Sequence, residues 1–141
     1  MQKCHYCFEL AGDLSELNTL CWHLDECGNK LELPQRCRIE LNLSLDELFT
    51  NIISYGFEDA SEHQIRFSLS KVGDTLVVEV EDDGMPFNPL DAAAPEADRD
   101  LEAINIGGLG IHLMKKMVDD IDYQRVAGKN KLTLRKCVAA A

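Results

Sequence analysis

The sequence predicts an α+β fold, a two-layer sandwich in which helices cover one face of a mostly antiparallel sheet. Three observations lead there. Segments with strand and helix periods alternate in the order β-α-α-β-β-loop-α-β-β. Two strand pairs are joined by short turns, at Gly73-Asp74 and at Gly128-Lys129-Asn130, and read as hairpins. Within the strands, apolar and polar residues alternate, the pattern of a sheet with one dry and one wet face.

Residues 3–10 form the first strand. Asp13 then stands where a helix N-cap belongs, ahead of Leu14, Leu17, Leu20, Cys21 and Leu24 at helical spacing. Gly28-Asn29 reads as the stop of that helix. Pro34 suits the first turn of a second, longer helix. It carries Cys37, Leu41, Leu45, Leu48, Phe49 and Ile52 to about Phe57, with Gly56 at its frayed end. A hairpin follows, in which Ile65, Phe67 and Leu69 alternate with Arg66, Ser68 and Ser70. Residues 85–106 have no sustained period and hold Pro86, Pro89 and Pro95. A loop of about 20 residues is uncommon in a compact domain, and this one reads as a lid over about 85–107. Residues 109–118 form a last helix, and residues 120–126 and 131–137 a closing hairpin.

A chain of 141 residues is expected to be one domain, residues 1–141, with 45% apolar and 28% charged residues. The net charge of −11 argues against nucleic acid, whose phosphates reward basic surface. No apolar run approaches the roughly 18 residues that span a bilayer, and residues 1–9 lack a signal-peptide stretch. The expectation is a cytoplasmic protein without a membrane partner. Six cysteines, at 4, 7, 21, 27, 37 and 137, raise the question of a metal site. Cys4 and Cys7 share one strand three residues apart, so their thiols point to opposite faces, and no second Cys/His pair completes a site. They read as free thiols.

Three motifs carry chemistry. Glu47 precedes Asn51 by four residues, so both lie on one stripe of the second helix. Asn51 interrupts an apolar stretch from Leu48 to Ile53, and an amide oxygen is a hard ligand suited to Mg²⁺. Glu47 could then act as a base; an exposed Glu beside a hydrogen-bonded core Asn is the other reading. Period two sets Leu76, Val78, Val80 and Asp82 on one face, so an apolar strand face ends in a carboxylate. An adenine amino group would satisfy it, and Gly84 would let the chain pass close to a flat ring. A turn-capping role before Gly84 fits the same residues. Gly107-Gly108-Leu109-Gly110 opens the helix with the apolar stripe Leu109, Leu113, Met114, Met117 and Val118, where free N–H groups can receive phosphate oxygens. No Gly-Lys-Ser/Thr follows, so this is not a Walker loop. A lid hinge is the alternative. His112 reads as a solvated helix residue.

The set Glu47-x-x-x-Asn51, Asp82-x-Gly84-x-x-Phe87 and Gly108-x-Gly110-x-x-Leu113 resembles the N, G1 and G2 boxes of the GHKL ATPase superfamily. The chain's length and its segment 107–134 resemble the anti-sigma-factor serine/threonine kinases, and the likeness covers nearly the whole chain. The resemblance implies the Bergerat fold and the cofactors ATP and Mg²⁺. It implies Glu47 as general base, Asn51 as metal ligand, Asp82 as adenine reader, Gly84 in the adenine pocket, and Gly108, Leu109 and Gly110 at the phosphates. Pro86 stands where the superfamily often has glycine, and Arg99 is a candidate for the γ-phosphate. It further implies phosphorylation of a STAS-domain anti-anti-sigma protein, a sigma factor or other regulator as second partner, and a homodimer. The other function class is an ATP-binding regulatory module that sequesters or activates a partner without significant kinase activity.

Overall fold

A computed structural model of the chain describes residues 3–56, 63–88 and 109–138. Five strands, β1 (Lys3–Ala11), β2 (Gln64–Val72), β3 (Thr75–Asp82), β4 (Asp120–Val126) and β5 (Lys129–Cys137), form one sheet in the order β1-β2-β3-β5-β4. Every neighbouring pair is antiparallel. The helices α1 (Leu17–Lys30), α2 (Gln35–Asn51) and α3 (Leu109–Met117) are joined to this sheet through one apolar core. Among the described residues no helix is long and apolar enough to cross a membrane.

Alternation builds the dry face. Phe8 and Leu10 of β1, Ile65, Phe67 and Leu69 of β2, Leu76, Val78 and Val80 of β3, and Leu132 and Leu134 of β5 are all buried. Against them lie Leu20, Leu24 and Cys27 of α1, Leu41, Leu45, Leu48 and Phe49 of α2, and Met114 of α3. Phe67 stacks on Phe8 with ring centroids 4.8 Å apart and meets Phe49 of α2 at 6.2 Å, so it ties the central strands to the longest helix. Burial pushes the Cys27 thiol up to about 12, and Cys37 is also buried, so both pack as small apolar groups.

Two boundaries differ from the sequence expectation. Asp13 does cap, its carboxylate accepting the Ser15 N–H at 2.9 Å, but it opens a 3-10 turn, Leu14–Glu16, that leads into α1. Gly28-Asn29 does not stop α1, which runs to Lys30 and ends where Glu32 takes a left-handed φ of 53°. Gly28 is needed for space instead. A Cβ there would sit 2.9 Å from Cδ and Nε of Arg38. Arg38 crosses at that point to donate to the Leu33 carbonyl and the Asn29 amide oxygen, both at 2.8 Å. The closing hairpin differs as well. Its turn is Ala127-Gly128, both at positive φ (54° and 78°), and not Gly128-Lys129-Asn130. Lys129 and Asn130 therefore belong to β5, and Asn130 falls opposite Asp82 of β3.

Past Asn51, α2 continues as a π-helical turn, Ile52–Gly56, a widening often found beside functional sites. Of the expected lid only residues 85–88 are described; its remainder lies outside the described residues, as do Phe57, Arg99 and Gly108.

Gly28→Ala should lower stability by about 1 kcal/mol, because loss of the Arg38 hydrogen bonds outweighs the helix propensity of alanine. In an Arg38→Ala background the same change should stabilise by up to about 1 kcal/mol. Urea unfolding of the four proteins reads both; an equal effect in both backgrounds would contradict the packing role of Gly28.

Candidate functional site

One row of residues runs across the whole sheet. The register pairs Leu10 with Ile65, Ile65 with Asp82, Asp82 with Asn130, and Asn130 with Arg125. Its first half is apolar and buried; its second half is polar. Asp82 is 5% exposed and Asn130 4%, so a carboxylate and an amide sit at the end of the dry face. Such placement is unfavourable unless the groups are hydrogen-bonded.

They are. Asp82 Oδ1 accepts the Gly84 N–H at 2.9 Å and the Asn130 Nδ2–H at 3.1 Å. Asn130 Nδ2 also donates to the Met85 carbonyl at 2.7 Å. On its other side, Asn130 Oδ1 accepts the Phe87 N–H at 3.3 Å and the Tyr123 hydroxyl. Arg125 Nη1 donates to the Gly84 carbonyl at 2.7 Å. The stretch from Asp82 to Phe87 is thus tied to the β4–β5 hairpin along its length. Burial pushes the Asp82 carboxyl above its ordinary range; the Asn130 amide and the Gly84 N–H pull it down, Asp83 adds to the rise and Arg125 opposes it.

A cavity opens over this network, lined by Asp82, Val80, Phe87, Tyr123, Asn130 and Leu132 from the sheet side and by Leu48 and Ile52 of the helix above. Leu48 follows Glu47 and Ile52 follows Asn51, so both polar residues of α2 adjoin residues that line the cavity. Glu47 is half-buried. Asn51 is 8% exposed. Gly84 is buried at the cavity's end of β3. Leu109 and Gly110 open α3, which packs on α2; their side chains, and Gly108 entirely, lie outside the described residues.

Sequence reading missed four residues here. Asn130, Tyr123 and Arg125 were hidden by the misplaced turn, since only the register brings them to Asp82; two consecutive positive-φ positions at Ala127-Gly128 define it. The fourth is Asp46, beside Glu47, with its Oδ1 buried and without a partner among the described residues. Desolvation raises its pKa.

Comparison with known proteins agrees with this architecture. Residues 10–136 match the family described as histidine kinase-like ATPase domain. The chain is 32% identical over 99 residues to the serine/threonine-protein kinase BtrW of Bordetella bronchiseptica, covering 70% of each protein. It is 28% identical over 86 residues to the serine-protein kinase RsbW of Listeria innocua, covering 58% of this chain and 55% of that one. The match thus spans about half the length of the Listeria relative. The histidine kinase AdeS of Acinetobacter baumannii superposes with a TM-score of 0.51 at 14% identity, over 99% of this chain and 70% of that one, a likeness of fold alone. With its α+β sheet-and-helix architecture and a family match over most of its length, the chain belongs to the histidine kinase-like (GHKL) ATPase family, on the branch of the serine/threonine-protein kinases.

Proposed function

We propose that this chain is an ATP-dependent protein serine/threonine kinase of the anti-sigma-factor type. It would act in the cytoplasm within a bacterial partner-switching pathway. Its substrate would be a serine or threonine of a STAS-domain anti-anti-sigma protein, with a sigma factor or other regulator as second partner and a homodimer as the assembly. The observation that carries this reading is Asp82, a buried carboxylate ending an apolar strand face, with Oδ1 doubly bonded and Oδ2 left without a hydrogen bond among the described residues. A nucleobase amine is the donor that such an acceptor fits. The printed names of BtrW and RsbW, both serine-type protein kinases, support the activity.

In this reading residues 1–141 form one ATP-binding domain with a lid over about 85–107. Asp82 reads the adenine amine, and Gly84 permits the ring's close approach. Asn51, an amide 8% exposed at the end of α2, fits a Mg²⁺ ligand, the remaining positions being supplied by phosphates and water. The metal would neutralise phosphate charge. Gly108, Leu109 and Gly110 offer backbone N–H groups at the opening of α3 to the phosphates. Glu47, one turn before Asn51 on α2, takes the proton of the attacking serine or threonine hydroxyl as its oxygen bonds to the γ-phosphorus and the bond to ADP breaks. That base separates a kinase from a regulatory module that only binds nucleotide.

Glu47→Gln should bind Mg-ATP within about twofold of the parent yet transfer phosphate at least about a hundredfold more slowly. Single-turnover transfer to a STAS-domain protein, beside calorimetry, measures both; equal transfer rates would reject Glu47 as base. Asp82→Asn should weaken Mg-ATP binding by about tenfold or more while stabilising the fold near neutral pH. The sign follows from the raised native pKa. Native Asp82 holds its proton to higher pH than the unfolded chain does, so stability falls as pH rises through that window. Asparagine avoids this loss. Melting curves should show the variant's advantage at pH 7 shrinking in acid; a less stable variant at pH 7 would contradict it.

A further inference from the structure

We infer that Asn130 is a positioning residue that holds Asp82 as a one-oxygen acceptor, and that it thereby sets the selection of an amino-bearing purine over a 6-oxo purine. The inference rests on Asp82 being the reader of the base.

The geometry leaves Asn130 one orientation. Its four hydrogen bonds go to two groups that can only accept, the Asp82 carboxylate and the Met85 carbonyl, and to two that donate, the Phe87 N–H and the Tyr123 hydroxyl. Exchanging amide oxygen and nitrogen would set acceptor against acceptor and donor against donor. The amide nitrogen therefore always faces Asp82 Oδ1. That oxygen also receives the Gly84 N–H, whose own carbonyl Arg125 secures at 2.7 Å. Two donors on Oδ1 fix the plane of the carboxylate and favour its charged form against the burial that opposes it. Oδ2 is left as a pure acceptor, which matches the exocyclic amine of adenine and opposes the carbonyl of hypoxanthine.

Other groups around Asp82 do not duplicate this. Asp83, the residue after β3, carries the same charge and is paired with His63 at 2.8 Å. Arg125 and Tyr123 of β4 bond to Gly84 and Asn130, not to the carboxylate. Ile65 of β2 and Leu48 and Ile52 from the helical side are apolar. Asn130 is the side-chain donor to Asp82 among the described residues.

Replacing Asn130 by aspartate keeps acceptors for Phe87 and Tyr123 but turns a carboxylate toward Oδ1. The two acids would then share a proton, and Asp82 could donate as well as accept. The test is calorimetric titration of the full chain, wild type and N130D, with Mg-ATP and with Mg-inosine triphosphate, after thermal melts establish that each protein is folded at the assay temperature. Wild type should prefer ATP, and N130D should lower the ATP-to-inosine-triphosphate affinity ratio by about tenfold. Where N130D does not fold, N130S, which loses the amide fork without adding charge, should lower the same ratio by about threefold. Parallel losses for both nucleotides, with the ratio unchanged within twofold, would overturn the inference and leave Asn130 a fold residue. A wild type that binds neither nucleotide, or both equally, would instead remove Asp82 as base reader, and the inference with it.

Discussion

The arrangement depends on keeping one carboxylate buried at the end of an apolar sheet row. Asp82 continues the face of Leu76, Val78 and Val80, and its desolvation is offset by the Gly84 N–H and the Asn130 amide. Those same two bonds shape the chain beyond β3. Gly84 folds back over the carboxylate, Met85 and Phe87 are tied to Asn130, and Arg125 holds the Gly84 carbonyl. The interaction that makes the acid tolerable thus also forms the floor of the cavity.

The helical layer supplies the opposite wall. Leu45, Leu48 and Phe49 sink into the core and fix the rotation of α2 about its axis. Leu48 and Ile52 line the cavity, and Glu47 and Asn51 precede them in the chain without lining it themselves. Asn51 is a polar residue 8% exposed on a helix whose other buried positions are mostly apolar. Apolar packing thus positions α2 against the sheet.

Much of this was legible in the residues. Period two placed Asp82 on the dry face, and the buried strand residues agree. Helical spacing put Glu47 and Asn51 on α2, and Pro34 marked its beginning, standing as N-cap before Gln35. What the sequence hid were facts of register and space. Gly28 looked like a helix stop, yet its missing Cβ makes room for Arg38, a residue ten positions on whose path no local pattern reveals. The closing turn was placed on Gly128-Lys129-Asn130 because those residues favour turns. In fact Ala127 takes positive φ, a conformation alanine seldom adopts, and that shift brings Asn130 opposite Asp82. The hub of the candidate site was therefore invisible until the strands were paired.

The most direct measurement is a crystal structure of the chain with Mg²⁺ and a non-hydrolysable ATP analogue. The account predicts the adenine amine about 3 Å from Oδ2 of Asp82, Asn130 still bonded to Oδ1, and the metal held by Asn51. Adenine seated away from Asp82, or a metal bound without Asn51, would contradict it.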